Sequence, residues 1–300
     1  MTLFAIVTQD QVGKHGCDVS LERACQARGI TYSRLVVENI VLDDVRSMSV
    51  PPNSLLYRVS LDSKAVAIES LLATMYTKSL TTMYDKQVFP HPHKRLRELS
   101  RQIAEELPII PTILLDTSWL RMADDDITQR IATVGGFPVI VKTLGLSHGQ
   151  GVVLTHSVPE FRQYLASVDL AACNTIARKY LAEYRHYRLI VVAGEVIAAI
   201  EYHKPNDDFR TNAAPEPTVT AVDIASLPAH IIDLARTSVK LRASILGGVD
   251  VLVEQPSETA YLAEVNVPCY FARAEQPTGI DIAGHIVDAL IDKQRQHDEQ

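Results

Sequence analysis

Asp250, Glu264 and Asn266 are the residues whose types and spacing point first to chemistry. GVDVLVE is a β-branched run, QPSE carries turn residues, and AYLAEVN is a second strand, so the stretch reads as a hairpin. A turn centred on Ser257 sets Asp250 opposite Glu264, and the two-residue period of a strand puts Asn266 on the face of Glu264. Their neighbours Val249, Val251, Leu262 and Val265 are apolar. Two carboxylates in such surroundings are costly unless a cation lies between them. Hard oxygen donors of this kind suit Mg²⁺, which binds through one or two carboxylates and leaves room for phosphates. The alternative is a hairpin with one solvated polar face.

Other stretches carry groups suited to anions. PVIVK is a buried strand closing on Lys142, and GLSHGQG then leads into the returning strand GVVLTHS. Gly145, Gly149 and Gly151 would let backbone N–H groups approach phosphate oxygens. The pattern is not a P-loop, which has no returning strand; a plain hairpin with a glycine turn is the alternative. Arg188 in YRHYR, with Arg210 and Asn212 in the polar loop KPNDDFRTNAA, offers anion clamps, against the ordinary reading of solvated arginines. Arg58 ends the strand SLLYR, where a parallel sheet opens a ligand crevice; an edge arginine in solvent is the alternative. His91 and His93, spaced by prolines in FPHPHK, read as linker rather than as metal ligands.

The elements that must position these groups follow from the rest of the chain. Three hundred residues allow two domains, or one with subdivisions. A 47% apolar and 22% charged composition is that of a globular protein with a sizeable core. The net charge of −7 argues against a nucleic-acid partner but not against ATP, which a few local cations can hold. Cys17, Cys25, Cys173 and Cys269 have no metal-ligand spacing and read as reduced thiols. No run approaches the ~20 apolar residues of a membrane span, and MTLFAIVTQD has no secretory pattern, so a cytoplasmic protein with no membrane partner is expected. Leu3–Val7, a helix over 19–28 and a strand from Ile30 form a β-α-β opening with a parallel sheet. FPHPHK marks a domain boundary, and a hairpin turns at Ala193-Gly194. The last helix is expected from Ile280 to about Lys293, with QRQHDEQ frayed.

PVIVK…GQGVVL, RLIVVAGEVIAAIE, DFRTN, GGVDVL, AEVN and TGIDIAG occur in this order from about Lys94 onward. In these motifs the chain resembles the ATP-grasp carboxylate–amine ligases, most closely the RimK-like branch. The resemblance implies an α/β (α+β) fold: an ATP-grasp fold with a small Rossmann-like preceding N-terminal domain. The expected segments are 1–88 for the preceding domain, 89–178 for a central subdomain with the glycine-rich lid, and 179–300 for a C-terminal subdomain with the metal site. By the same resemblance Lys142 and Lys94 are nucleotide lysines beside Gly149 and Gly151. Asp250, Glu264 and Asn266 hold two Mg²⁺ ions, with Mn²⁺ as a substitute, and Arg188, Arg210 and Asn212 face the phosphoryl group. The chain departs from the family at three places. The adenine hinge, usually Gln-Glu-Tyr, is Arg178-Lys179-Tyr180. The ribose-side acid is His186, with Glu183 as the nearby carboxylate. The turn after the metal asparagine is Val267-Pro268-Cys269-Tyr270.

The implied reaction is amide or peptide-bond formation at the cost of ATP, through an acyl phosphate, giving ADP and phosphate. Small-molecule or peptide carboxylates and amines are the expected partners, and a homo-oligomer is compatible with the sequence. Tyr270 and Arg273, with Arg58, are expected to narrow the pocket for a small acid, an amino acid or a short peptide. The competing reading is a nucleotide-binding regulator or scaffold of the same fold that has lost ligation, for which the altered hinge speaks.

Overall fold

A computed structural model describes residues 1–13, 16–60, 62–84, 94–144, 151–203 and 217–298. The chain opens with β1 (Thr2–Val7), α1 (Gly16–Ala27), β2 (Thr31–Val36), α2 (Leu42–Val45), β3 (Ser54–Arg58), α3 (Ser63–Met75) and β4 (Leu80–Thr82). These strands form a parallel sheet in the order β2-β1-β3-β4. The apolar run of β1 is buried on both faces, as a central parallel strand should be. Phe4 and Ile6 pack with Ile68 and Leu72 of α3 on one side. Leu3, Ala5 and Val7 face the other way, toward Leu21 and Ala24 of α1.

The middle of the chain comprises α4 (Lys94–Ala104), β5 (Thr112–Leu115), α5 (Asp124–Ala132), β6 (Val139–Thr143), β7 (Val152–Thr155), α6 (Val158–Ser167) and β8 (Thr175–Lys179). Its strands pair antiparallel in the order β5-β8-β6-β7. Val139, Val141 and Ala177 point to one face and are buried with Ile127, Ile131, Phe161 and Trp119. Ile140, Lys142, Ile176 and Arg178 share the opposite face by register.

The last part contains β9 (Tyr184–Val192), β10 (Glu195–Tyr202), β11 (Val219–Ala221), α7 (Ala229–Leu241), β12 (Leu246–Glu254), β13 (Thr259–Asn266), α8 (Ala272–Thr278) and α9 (Ile282–Asp298). Its antiparallel sheet runs β11-β10-β9-β12-β13. The β9–β10 turn sits on Ala193 and Gly194 as expected, both at positive φ (49° and 84°), the geometry of a two-residue hairpin.

The first and third sheets share a core: Leu3, Ala5 and Val7 lie in one continuous cluster with Leu189, Val249, Ile282 and Ile286. One expectation changes: the last helix, expected to end near Lys293, continues to Asp298. Gln294 is buried, with its amide bonded to Thr81 and Asn53, and the Lys293 ammonium donates to the carbonyls of Thr82 and Tyr84. Polar side chains that look solvated in the sequence are the ones that dock α9 on the edge of the first sheet. Among the described residues no helix is long and apolar enough to cross a membrane.

Candidate active site

β9, β12 and β13 lie side by side, and their register lines Arg188, Asp250 and Glu264 across one face. The Arg188 guanidinium meets the Asp250 carboxylate in a two-point pair, Nε to Oδ1 and Nη2 to Oδ2, each 2.8 Å. His186 Nε2 lies 3.3 Å from Oδ1, and Asn266 donates through Nδ2 to Oδ2 at 3.2 Å. Burial alone would raise the Asp250 carboxyl, but the Arg188 charge and the His186 hydrogen bond outweigh it and hold it well below the usual carboxylate range. Burial likewise opposes the Arg188 charge, and Asp250 overrides it, so the guanidinium stays protonated. His186 stacks on Tyr202 with ring centroids 4.8 Å apart, and the Arg188 guanidinium lies 5.3 Å from the same Tyr202 ring.

Local sequence explains why these groups converge. From Glu254↔Thr259 to Val251↔Leu262 the hairpin pairs one residue out of step with Asp250↔Glu264. Ala263 takes up the extra residue as a β-bulge, which turns both Glu264 and Tyr261 to the cleft while Leu262 and Val265 stay in the core. Gly247 and Gly248 let this strand be crowded from both sides. A Cβ at Gly247 would lie 2.5 Å from Val239 of α7, and one at Gly248 would lie 2.6 Å from the Cys269 Cβ.

The end of β8 links the middle sheet, with its free face, to the third sheet. Lys142 is half-buried there, with Val152 of β7 and Ile176 of β8 as strand partners. Ile140 and Leu154 beside it are only partly buried, which leaves an apolar surface next to a cation. Arg178 reaches across: Nε donates to Thr112 Oγ1 at 3.1 Å and Nη1 to the Ala263 carbonyl at 3.5 Å, at the bulge. Burial lowers its pKa, and Glu264 is the charge acting in the opposite direction. Lys179 also crosses, to Glu254 of β12 at 2.6 Å and over the Tyr261 ring. Its ammonium is therefore committed to Glu254, and this hydrogen bond raises its pKa. Gly151 has φ +67°, and its carbonyl accepts from Thr143 N at 3.0 Å and from the Tyr164 hydroxyl at 2.9 Å, which pins the root of the β6–β7 hairpin. Tyr180 is half-buried at the end of β8. Glu183 is exposed and joins the strands through its backbone carbonyl, which accepts from Gln255 N.

At the other end of the polar face, Tyr270 is half-buried with its hydroxyl beside Gly16 at the start of α1, and burial raises its pKa. The Arg273 guanidinium lies 5.3 Å from the Tyr270 ring. Phe271 turns into the core against Tyr57. Arg58 is not an edge arginine in solvent: it is 2% exposed. Glu69 at 2.6 Å, the Ser60 carbonyl at 2.7 Å, the Tyr84 hydroxyl and the Val267 carbonyl take up its donors. It ties the first sheet to the segment after Asn266. Burial pushes the thiols of Cys25 and Cys269 up to about 11 and about 12, as expected of inert structural cysteines.

Gly145, Gly149, Arg210, Asn212, His91, His93 and the Lys94 side chain lie outside the described residues. Among the described residues no group of three or more His, Cys, Asp or Glu could hold a metal. The available set is two carboxylates and one carboxamide, all hard oxygen donors on one face, which fits Mg²⁺ in kind. Asp250 enters that set with both oxygens already bonded to Arg188. Sequence reasoning missed Tyr202, Glu254 and the contact role of Arg178. The alternation in YRHYR could have put His186 on the face of Arg188, but nothing local signals the partners supplied by β10 and β12.

Comparison with known proteins agrees with this architecture. The chain is 30% identical over 165 residues to a probable alpha-L-glutamate ligase of Enterobacter sp. (strain 638), covering 54% of this chain and 53% of the relative. It is 29% identical over 175 residues to a ribosomal protein bS6–L-glutamate ligase of Escherichia coli O1:K1, covering 58% and 57%. The chain thus spans about half the length of the curated relatives it matches. In fold it is similar to the ATP-grasp ligase PsnB complexed with minimal precursor, Mg and ADP (TM-score 0.69, 15% identity, 97% of each chain). It is also similar to D-alanine–D-alanine ligase from Bacillus anthracis complexed with ATP (TM-score 0.68, 16% identity, 100% of this chain and 98% of that one). A RimK-like ATP-grasp domain matches residues 98–290, well over half of its length, and the chain belongs to that family.

Proposed function

We propose that the chain is an ATP-dependent carboxylate–amine ligase that forms an amide or peptide bond through an acyl phosphate. The observation that supports this reading is a pair of polar faces on two sheets linked by Arg178 and Lys179. One bears Arg188, Asp250, Glu264 and Asn266, and the other bears Lys142 and Arg178 beside the apolar Ile140 and Leu154. A carboxylate resists attack by an amine because oxide is a poor leaving group. Transfer of the γ-phosphoryl group of ATP to a carboxylate oxygen releases ADP and makes phosphate the leaving group. The amine nitrogen then attacks the acyl carbon, the bond to the phosphate oxygen breaks, and the amine proton passes to solvent. Crowded negative charge is the obstacle to the first step, so placed cations supply much of the catalysis.

Lys142 and Arg188 would serve the phosphates, with Arg210 and Asn212, all four assigned by resemblance. Ile140 and Leu154 offer the surface for the base, beside Tyr180 at the hinge. Bound Mg²⁺, two ions in this reading and replaceable by Mn²⁺, would neutralise phosphate charge while held by Asp250, Glu264 and Asn266. In this reading Tyr270 and Arg273 would line the way in for the non-nucleotide substrates, which favours a small acid, an amino acid or a short peptide. Dependence on ATP and buried reduced thiols suit a cytoplasmic setting.

The test is ADP release, measured with a pool of carboxylic acids and amino acids. Release that requires both an acid and an amine, and that falls at least about a hundredfold in Glu264→Gln, supports the ligase. Tight nucleotide binding with no such release would instead favour the regulator reading.

A further inference from the structure

One aromatic ring lies beside two of the groups that hold Asp250. Tyr202 stands on β10 directly opposite His186 of β9, and Ile200, two residues earlier on the same face, stands opposite Arg188. His186 stacks on the Tyr202 ring, with centroids 4.8 Å apart and 25° between the planes. The Arg188 guanidinium lies 5.3 Å from the centre of the same ring. Arg188 and His186 also both meet Asp250, the first through two 2.8 Å bonds and the second at 3.3 Å. Tyr202 and Asp250 therefore hold this cation and this imidazole from two directions. The face of an aromatic ring carries negative potential and attracts a guanidinium, more strongly where both are shielded from water. Both residues are buried here. A long arginine side chain has much rotamer freedom to lose, so a second contact beyond the carboxylate narrows where its donors point. The Tyr202 hydroxyl, in contrast, is buried without a hydrogen-bond partner. A hydroxyl in that position costs stability rather than adding it.

We propose that Tyr202 is a positioning residue for phosphoryl transfer: its ring, and not its hydroxyl, fixes the Arg188 guanidinium in the orientation that the transferring group requires. The attraction between ring and cation sets that orientation, and Tyr202 itself touches no substrate. The proposal rests on the ligase reading of the same site and deepens it with a residue that acts through Arg188.

The experiment uses the full chain with Tyr202→Phe, with fluoro-, difluoro- and trifluorophenylalanine placed at the same position by nonsense suppression, and with Tyr202→Leu. Fluorine drains the ring face of negative potential and barely changes its size, so packing is kept while the attraction for a cation falls step by step. The readouts are ADP release at saturating ATP and Mg²⁺ with a pool of the common amino acids, acetate and succinate, and a calorimetric titration of AMP. Tyr202→Phe should match the wild-type rate and melt no lower than wild type. The rate should then fall with each fluorine, by about threefold or more at the trifluoro form, with AMP affinity unchanged. Tyr202→Leu, which has no ring, should lose at least about tenfold. A rate indifferent to fluorine, or a Tyr202→Leu variant with the wild-type rate, reduces the ring to packing and overturns the proposal. A Tyr202→Phe variant as slow as Tyr202→Leu overturns it by giving the role to the hydroxyl. Each of these results leaves the ligase reading standing. Wild type that releases no ADP in response to acids and amines overturns the ligase reading and this proposal together. The fluorinated forms decide the matter even if Tyr202→Leu fails to fold.

Discussion

Arg188 of β9 and Asp250 of β12 are directly opposed in register, and the guanidinium closes on the carboxylate through two bonds of 2.8 Å. The pair sits at the centre of the polar face, with Tyr202 under the cation and His186 and Asn266 beside the anion. Its electrostatics therefore bear on stability as well as on ligand binding.

Stability should depend on pH through this pair. The folded-state pKa of Asp250 is depressed, so its contribution is fully present above the unfolded carboxylate range, about 3.9, and is lost as pH falls through the folded value. At neutral pH Arg188→Met should lose about 3–5 kcal/mol, the ordinary effect of orphaning one member of a buried pair. The gap between wild type and this variant should narrow below pH 4. Urea midpoints from pH 7 down to pH 2 check this, and a gap independent of pH would contradict the assignment.

Lys142 is expected to distinguish nucleotides by their phosphates. Its strand partner Val152 opens β7, directly after the glycine segment, and Ile140 and Leu154 flank it on the same face. Lys142→Ala should weaken ATP by about tenfold or more, on the scale of a charge-assisted hydrogen bond, and AMP much less. Calorimetric titration of both nucleotides is the measurement, and equal losses would remove Lys142 from the phosphates.

Gly248 has no room for a side chain. A Cβ there would stand 2.6 Å from the Cys269 Cβ and 3.8 Å from the Arg188 Cδ. Gly248→Ala should destabilise by about 1–3 kcal/mol, as overpacking does, and should also weaken nucleotide binding by moving Arg188. A thermal melt paired with a nucleotide titration tests both parts. Loss of stability with unchanged nucleotide affinity would separate the glycine from the site.

Opposition of Asp250 and Glu264 was legible in the sequence, because apolar neighbours fix which face each strand buries. The bulge was not. A turn centred on Ser257 pairs Asp250 with Glu264 by simple counting, whereas the real hairpin runs one residue off until Ala263 restores the match. Backbone irregularities of this kind leave no mark in a period-two pattern. The surroundings of Arg58 were illegible for a different reason. A cation at a strand end looks the same whether it faces solvent, a ligand or a buried acid, and only the fold brings Glu69 to it. The polar tail of α9 failed likewise, since Gln294 and Lys293 find their partners in the first sheet, more than two hundred residues away.

Substrate choice is expected to depend on Tyr270 and Arg273. Tyr270 fills the corner between the polar face and the start of α1, and Arg273 lies over its ring, a contact that holds the guanidinium in place. Phe271 and Arg58 are packed away, whereas Tyr270 and Arg273 are only half-buried. Tyr270→Gly removes the ring and should widen the corner, extending the range of acceptors toward longer peptides. Arg273→Ala removes a planar fork suited to a carboxylate and should raise KM for one carboxylate-bearing substrate about tenfold, with KM for ATP nearly unchanged. Because the ring also steadies Arg273, Tyr270→Phe should keep the wild-type KM while Tyr270→Gly raises it, which separates an effect of space from an effect of the guanidinium. Competition between short and long acceptors, followed by mass spectrometry, reads the first effect, and initial rates at varied acid concentration read the second. If both variants keep wild-type acceptor range and KM, Tyr270 and Arg273 serve only to pack α8 against α1, and the inference of a small substrate falls with them.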